Sequence, residues 1–267
     1  MMANKIINYT YDPVSVIIPV MNNLEWTKQC LESVISNSRN REFEIIIIDN
    51  NSTDGTIEYL NEFAKNHSQV SIIQNENNIG VANSWNQGIK LAKYDYVCII
   101  NNDIKILMDD WLFEMQKTLK SNPNIYWTSP RTCYSLDLRK MSFKPSHYEQ
   151  LAYGKNIDKY VVACCFMCPK SIFEEIGYFD TGFEVKYYED LDFIARILSL
   201  GKKVKMSDAC LVYHGVGKTS RITAGGNDNE KYYQSKWGGT KFDILAMQPG
   251  RGAKGIKVFY KEPSNKG

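Results

Sequence analysis

Four short apolar runs, each followed by polar residues and then by a helical pattern, constrain the fold of this chain most strongly. The runs are rich in β-branched residues and lie at residues 14–19, 43–48, 70–73 and 94–100. Apolar runs without alternation are typical of parallel strands that are covered on both faces. Between them, apolar residues recur at the spacing of an α-helix. Four strand–helix units in succession predict a parallel, doubly wound α/β sheet with right-handed crossovers.

The polar residues that end these runs predict a ligand site at one edge of the sheet. Asn101, Asn102 and Asp103 follow the fourth run directly, and Asp49 begins a polar stretch after the second. Ligands of open α/β sheets bind at the carboxyl ends of the strands. A carboxylate flanked by neutral oxygen donors suits a hard divalent cation that also contacts phosphate oxygens. For the tripeptide alone, an ordinary Asn/Asp turn is the alternative.

The second half of the chain is less periodic than the first. Further elements are predicted as strands at residues 125–130, 161–168 and 210–213 and as a helix from about Glu189. Residues 131–160 lose all periodicity, and a polar segment of this length in a compact domain is usually a functional loop or lid. Residues 215–239 and 248–267 are rich in glycine and polar residues, which predicts a loosely structured C-terminal extension.

The composition predicts a globular, reduced protein. Hydrophobic residues make up 43% of the 267 residues, which is enough for a substantial core. The net charge of +2 gives no global argument for nucleic-acid binding. The seven cysteines lack regular spacing, which favours the cytoplasm. The polar residues 1–13 lack the apolar core of a secretory signal, and no apolar run approaches the roughly 20 residues that span a bilayer.

Two further groups of residues carry chemistry. Glu189, Asp190 and Asp192 lie at a predicted helix start, where an ionised carboxylate could accept a proton from a nucleophile. Alternatively, these acidic side chains only complement the helix dipole. His214 follows the last predicted strand and is a common metal ligand when neutral. The glycine-rich segment after it contains Lys218, which could bind a diphosphate together with backbone N–H groups. Three aromatic residues before the acidic cluster suit packing against a sugar ring: Phe183, Tyr187 and Tyr188.

Two nucleotide-binding classes are excluded by their motifs. A P-loop needs a glycine where Val212 stands, and the glycine-rich segment follows the last predicted strand instead of the first. The G-x-G-x-x-G fingerprint of dinucleotide-binding enzymes is absent after the first apolar run.

Six motifs in one order together resemble a family 2 glycosyltransferase over about residues 14–220. They are residues 16–22 (VIIPVMN), 47–55 (IIDNNSTDG), 77–80 (NNIG) with Asn86, 101–103 (NND), 188–192 (YEDLD) and His214. The resemblance implies the glycosyltransferase-A (GT-A) fold, in which helices cover both faces of a Rossmann-like, mostly parallel central sheet. It also implies a nucleotide-sugar donor, a divalent metal (Mn²⁺ or Mg²⁺) and inversion at the anomeric carbon, as in rhamnosyltransferase-like enzymes of polysaccharide biosynthesis.

The resemblance also implies roles for individual residues. Asp103 corresponds to the last aspartate of the family's Asp-x-Asp metal motif, whose first aspartate is Asn101 here. His214 corresponds to the distal metal ligand. Asp190 corresponds to the catalytic base, with Glu189 beside it. Contacts with the nucleotide, its diphosphate or the donor sugar are expected for eight residues: Pro19, Val20, Asn22, Asp49, Asn78, Gly80, Asn86 and Asn102. Lys218 joins them as a diphosphate contact on the composition of its own loop and not on the resemblance.

These assignments lead to one predicted domain. Residues 1–220 would form the glycosyltransferase domain, with a nucleotide-sugar half at about 14–120 and an acceptor half at about 121–220. Residues 221–267 would be an extension or lid of the same domain. A UDP- or dTDP-sugar is the preferred donor because Asp49 would pair with a pyrimidine base, and a glycan or lipid-linked acceptor is expected. The protein would act in the cytoplasm, where the basic tail could contact an anionic membrane face or remain solvated.

Two other functions stay open. Because Asn101 removes one metal carboxylate, the chain could be a non-catalytic nucleotide-sugar- or carbohydrate-binding protein that kept the fold. A nucleotidyltransferase that makes the activated sugar shares the fold class, but it normally has a glycine-rich, basic loop after the first strand. Here that loop is Met21-Asn22-Asn23, which disfavours this function.

Overall fold

The computed structural model describes residues 9–133, 163–184, 187–215 and 226–238. Within these ranges, eight strands form one sheet and seven helices accompany them. The strands are β1 (Val14–Val20), β2 (Phe43–Asp49), β3 (Val70–Gln74), β4 (Tyr96–Ile100), β5 (Ile104–Ile106), β6 (Ile125–Cys133), β7 (Cys165–Pro169) and β8 (Lys203–His214). The helices are α1 (Leu24–Ser36), α2 (Thr56–Asn66), α3 (Val81–Leu91), α4 (Trp111–Lys120), α5 (Ile172–Ile176), α6 (Glu189–Ser199) and α7 (Gly226–Trp237).

The sheet is mostly parallel and has the strand order β3-β2-β1-β4-β7-β6-β8-β5. The strands β1 to β4 are parallel to their neighbours in this half, as the four apolar runs predict. In the second half, β7 is antiparallel to β4, whereas β6 is parallel to β8. The predicted α/β fold class, with a mostly parallel central sheet, is therefore confirmed.

A three-residue connection shows that the sheet curls. Asn101, Asn102 and Asp103 join β4 to β5, although β7, β6 and β8 lie between these strands in the sheet. A trans chain advances at most about 3.6 Å per residue, so this connection is possible only if the sheet turns back on itself. The curl brings the end of β8 close to the end of β4.

Helices cover both faces of the sheet, and each face has its own apolar core. On one face, α1, α2 and α4 contribute Leu31, Leu60 and Met115. On the other face, α3, α5 and α6 contribute residues that include Trp85 and Phe193. Full burial of each such side chain stabilises the fold by about 1.5–3 kcal/mol. The apolar face of each helix is therefore enough to determine which side of the helix packs on the sheet.

Four elements differ from the expectations. β6 continues to Cys133, three residues into the predicted loop. β5 has three residues and β8 begins at Lys203 instead of residue 210, because short or polar strands carry no clear apolar pattern. Residues 226–237, expected in a loosely structured extension, form α7 instead. This helix is mostly polar, so its own sequence gives little sign of a helix. The packing of a few side chains, such as the buried Tyr233 and Trp237, stabilises it. Within the described ranges, no helix has both the length and the apolar character that crossing a membrane requires.

Candidate active site

Asp103 and His214 meet at the carboxyl ends of β4 and β8. The register places His214 opposite Ile104, the residue after Asp103. The backbone N–H of Gly215 donates a hydrogen bond to the Asp103 carbonyl (2.9 Å). These contacts hold Oδ1 of Asp103, which is 2% exposed, 3.4 Å from Nε2 of His214. The structure thus brings together the two residues that were expected to bind metal.

The electrostatics of this pair favour a cation. Burial disfavours a charged imidazole, but contacts with Cys164 and Asp103 outweigh burial and raise the pKa of His214 to about 10. A carboxylate at hydrogen-bonding range stabilises positive charge on its neighbour. A metal ion would compete with this proton, since a histidine must be neutral to bind metal.

The donor set fits a Mg²⁺- or Mn²⁺-type ion that is shared with a ligand. Mg²⁺ is usually held by one or two carboxylates together with substrate phosphates and several waters. Asp103 supplies a carboxylate oxygen and His214 a ring nitrogen. Among the described residues, no group of three His, Cys, Asp or Glu side chains could hold a metal ion. The residues present therefore fit an ion whose other positions are filled by phosphate oxygens and water.

Asn22, Asp49 and Ser52 connect the carboxyl ends of β1 and β2. The Asn22 backbone N–H donates to Oγ of Ser52 (2.7 Å), and this hydroxyl donates to the buried Asp49 carboxylate (2.5 Å). The Ser52 backbone N–H donates to the second Asp49 oxygen (3.2 Å). Asp49 therefore holds the turn after β2, and its pairing with a pyrimidine base stays a prediction.

The end of β1 is held on its other side by Asn102. The Nδ2 group of Asn102 donates to the Asn22 carbonyl (3.2 Å) and to Oγ1 of Thr27 (2.9 Å). Asn102 is buried, and these two hydrogen bonds join the turn after β4 to the loop after β1 and to α1. Val20 is buried and Pro19 partly buried in that strand. The ligand contacts expected of these residues stay predictions.

The asparagines around α3 mainly shape the backbone. Asn86 donates from Nδ2 to the Phe179 carbonyl (2.8 Å) and accepts the Phe179 N–H (2.9 Å). Oδ1 of Asn78 accepts the N–H of Gly80 (3.0 Å), whose φ of +83° favours glycine. The amide of Asn86 is therefore engaged by the backbone in this structure, and its contact with a donor stays a prediction, as do those of Asn78 and Gly80.

Glu189 and Asp190 begin α6 in different environments. Glu189 is 6% exposed, and its Oε2 has no hydrogen-bond partner within the described part of the chain. Burial, followed by the charge of Asp190, raises the pKa of Glu189 to about 8. Asp190 is only partly buried, and its Oδ1 accepts the Leu191 N–H (2.8 Å). Neighbouring carboxyl groups in unlike environments can divide acid and base roles, which leaves Asp190 as the accessible group of the pair.

The three aromatic residues before α6 also have unlike environments. Phe183 and Tyr188 are buried in a cluster with Tyr233 and Trp237 of α7. Tyr187 is 50% exposed. The expectation that all three pack against a sugar is therefore wrong for Phe183 and Tyr188, because α7 covers them.

A buried ionic network at α6 was not predicted from the sequence. Asp192 is fully buried between Arg196 (3.0 Å) and Lys236 of α7 (2.7 Å). Its Oδ1 also accepts a hydrogen bond from Nε1 of Trp237 (2.9 Å). The spacing of Asp192 and Arg196, four residues apart on one helix, is the signal that could have suggested this pair.

Several predicted residues lie outside the described ranges. They include Lys218, inferred to bind the diphosphate, and residues 134–160 of the predicted functional loop or lid. Residues 221–225 and 239–267 of the predicted extension or lid also lie outside them.

Comparisons with known sequences relate this chain to glycosyltransferases. Residues 15–177 match the protein family Glycosyl transferase family 2. Poly-beta-1,6-N-acetyl-D-glucosamine synthase of Staphylococcus epidermidis is 38% identical over 112 residues, which are 42% of this chain and 26% of that protein. Poly(ribitol-phosphate) beta-glucosyltransferase of Bacillus spizizenii is 33% identical over 92 residues, which are 34% and 14% of the two chains. The matches thus span about a quarter or less of these relatives.

Solved structures confirm the predicted GT-A fold. Mannosyltransferase PcManGT from Pyrobaculum calidifontis, in complex with GDP-Man and Mn²⁺, has a TM-score of 0.64 at 19% identity over 79% of this chain and 59% of that chain. GalNAc-T7 with UDP, GalNAc and Mn²⁺ has a TM-score of 0.65 at 19% identity over 84% and 48% of the two chains.

Proposed function

Because the chain belongs to glycosyl transferase family 2, we propose that it transfers a sugar from a UDP- or dTDP-sugar to a hydroxyl group of a glycan or lipid-linked acceptor. The meeting of Asp103 and His214 at the carboxyl ends of β4 and β8 carries this proposal. Asn22 and Asp49 lie at the same edge of the sheet, where a nucleotide would bind. The similarity to a polysaccharide synthase supports a role in polysaccharide biosynthesis.

In this proposal Asp103 and His214 hold a divalent ion, Mn²⁺ or Mg²⁺. The Mn²⁺ in both similar structures supports the assignment. When bound, the ion would supply Lewis-acid stabilisation of the charge on the leaving diphosphate. Asn101 replaces a second carboxylate, so metal affinity would depend strongly on the nucleotide diphosphate.

Asp190 is the proposed general base. It takes the proton of the acceptor hydroxyl as that oxygen attacks the anomeric carbon. The bond from this carbon to the diphosphate oxygen breaks on the opposite face, so the configuration inverts. The partial exposure of Asp190 supports the role, because a base must reach the hydroxyl that it deprotonates.

Thermal unfolding of the full chain with UDP, dTDP or GDP, each with and without Mn²⁺, tests the binding half of the proposal. A ligand at a hundred times its Kd stabilises the native state by about 2.7 kcal/mol. We expect UDP or dTDP to raise the Tm when Mn²⁺ is present, and Asp103→Ala to remove this metal-dependent increase. Asp95→Ala is the matched control, because Asp95 is exposed and directly precedes the start of β4, at the end away from the site. Equal increases without metal would contradict the proposed site.

Nucleotide release from a panel of nucleotide-sugars identifies the donor, and Asp190→Asn tests the base. We expect this variant to bind nucleotide and Mn²⁺ like the wild type but to lose transfer by about 10²-fold or more, since general-base catalysis contributes about 10²–10⁴-fold. Wild-type turnover in this variant would exclude Asp190 as the base.

A non-catalytic nucleotide-sugar- or carbohydrate-binding protein is the second candidate, and Asn101 is the observation that favours it. A missing metal carboxylate would matter less to a protein that only binds its ligand. Metal-dependent transfer or hydrolysis of a nucleotide-sugar by the purified chain would exclude this alternative.

A further inference from the structure

The helix α7 contacts the segment before Asp190 and the first turn after it. Nζ of Lys236 lies 2.6 Å from Oδ2 of Asp180 and 2.7 Å from Oδ1 of Asp192. The hydroxyl of Tyr232 donates to Asp180 as well (3.0 Å). One ammonium group of α7 therefore joins two carboxylates that lie on either side of Asp190 in the sequence.

Asn229 of α7 holds the same segment between these points. Its Nδ2 donates to the carbonyls of Glu184 (2.9 Å) and Tyr187 (3.2 Å), and its Oδ1 accepts the Glu184 N–H (2.9 Å). Tyr187 and Tyr188 have φ values of +78° and +75°. A positive φ is strained for a bulky residue and persists only where the surroundings enforce it. The Asn229 contact to the Tyr187 carbonyl lies directly at this strained pair.

We propose that α7 positions the catalytic base and that Lys236 is its principal positioning residue. The proposal rests on the proposed function, in which Asp190 is that base. Because Lys236 joins Asp180 to Asp192, it couples the segment before α6 to the first turn of α6, where Asp190 lies. The strained backbone just before Asp190 explains why a contact from outside the segment is needed.

The surroundings of Lys236 make its removal informative. The side chains of Lys236 and Asp180 are 26% and 22% exposed, so their ion pair is only partly screened by water. Burial opposes the charge of Asp180, but hydrogen bonds from Lys236 and the Gly182 N–H outweigh burial and lower the pKa of Asp180. Asp192 would keep Arg196 as an ionic partner without Lys236, so we expect the fold to survive the substitution.

Hydrogen exchange of the full chain tests the proposal without any substrate. In Lys236→Met, we expect amides of residues 187–192 to exchange about tenfold faster or more, while those of β1–β4 keep their wild-type rates, since local opening is independent of global unfolding. Lys231→Met is the matched control, because Lys231 forms an exposed ion pair with Asp228 on the same helix. Unchanged exchange at residues 187–192 in Lys236→Met would overturn the proposal.

Kinetics separate positioning from general destabilisation. UDP with Mn²⁺ serves as the binding probe, and kcat is measured with the donor that the nucleotide-sugar panel selects, per UDP-binding site. We expect Lys236→Met to lower kcat about tenfold with the donor KM within about twofold, since misplaced catalytic groups reduce turnover. Lys236→Arg should restore most of the rate. An unchanged kcat per binding site in Lys236→Met would show a merely structural role.

A milder variant and an independent control complete the test. Tyr232→Phe removes one hydrogen bond to Asp180, and we expect kcat to fall about two- to threefold without a change in folding. An unchanged kcat in this variant would remove the Tyr232 hydrogen bond from the positioning contacts. If Asp190→Asn keeps wild-type turnover, the proposed base fails, whereas the exchange rates of Lys236→Met still report whether α7 orders the segment.

Discussion

At the scale of single residues, Glu189 is a carboxylic acid that the fold keeps largely neutral at pH 7. Its pKa is raised from 4.5 to about 8, first by burial and second by the charge of Asp190. A folded-state pKa above the unfolded value means that the native state binds the proton more tightly. The resulting stabilisation is complete below pH 4.5 and is lost as the pH rises to about 8.

The variant Glu189→Gln removes this dependence. As the pH rises from 5 to 8.5, the wild type loses this stabilisation and the variant does not. We therefore expect the free energy of unfolding of the variant, minus that of the wild type, to increase by about 2–4 kcal/mol, because each unit of pKa shift corresponds to about 1.4 kcal/mol. Urea denaturation at the two pH values measures the difference. In Glu58→Gln, which changes an exposed carboxyl group on α2, the difference should stay flat. A flat difference in Glu189→Gln as well would contradict the raised pKa.

At the scale of elements, the contact between α3 and β1 depends on a missing side chain. A Cβ atom added to Gly88 would lie 2.4 Å from Cγ2 of the fully buried Ile17. In an exposed helix interior, alanine is favoured over glycine by about 1 kcal/mol. Here the steric clash outweighs that preference, because Ile17 lies in a packed core and has little room to move.

We therefore expect Gly88→Ala to lower the free energy of unfolding by about 1–3 kcal/mol, the usual cost of overpacking a core. Chemical denaturation measures this loss. Asn83→Ala on the exposed side of the same helix should change it by less than about 0.5 kcal/mol. A Gly88→Ala variant as stable as the wild type would mean that α3 can shift away from β1.

At the scale of the whole molecule, Arg196 connects elements that are distant in sequence. It is 2% exposed, pairs with Asp192 and donates from Nη1 to the carbonyls of Ile176 (2.7 Å) and Tyr178 (2.9 Å). Asp192 in turn pairs with Lys236. The network joins α5, α6 and α7 around one buried carboxylate.

Arg196→Met would leave Lys236 as the ionic partner of Asp192 and would also remove the donor to the carbonyls of Ile176 and Tyr178. We therefore expect it to destabilise the protein by about 3–5 kcal/mol, the combined cost of a weakened buried ion pair and of lost hydrogen bonds. Urea denaturation followed by circular dichroism measures the effect. Lys28→Met breaks the exposed pair with Glu25 and should cost less than about 1 kcal/mol. Similar losses in both variants would contradict the role of burial.

Local patterns predicted the first half of the fold and part of the site. The run at residues 43–48 and the helical spacing after it are properties of neighbouring residues, and they predicted β2, α2 and the parallel order correctly. The placement of Asp49 and Asp103 at strand ends followed from the same patterns. β5, α7 and the first half of β8 are too short or too polar to give such a signal, so they depend on contacts that no local pattern encodes.

The sequence by itself determined the α/β class, the four parallel units and the polar residues at their carboxyl ends, because hydrophobic periodicity and chain direction act over a few residues. Only the tertiary structure decided that the sheet curls and that Oδ1 of Asp103 lies 3.4 Å from Nε2 of His214. It also decided that α7 joins Asp180 and Asp192 through Lys236. The reason is physical: these contacts join residues far apart in the chain, and their geometry depends on the packing of every element between them.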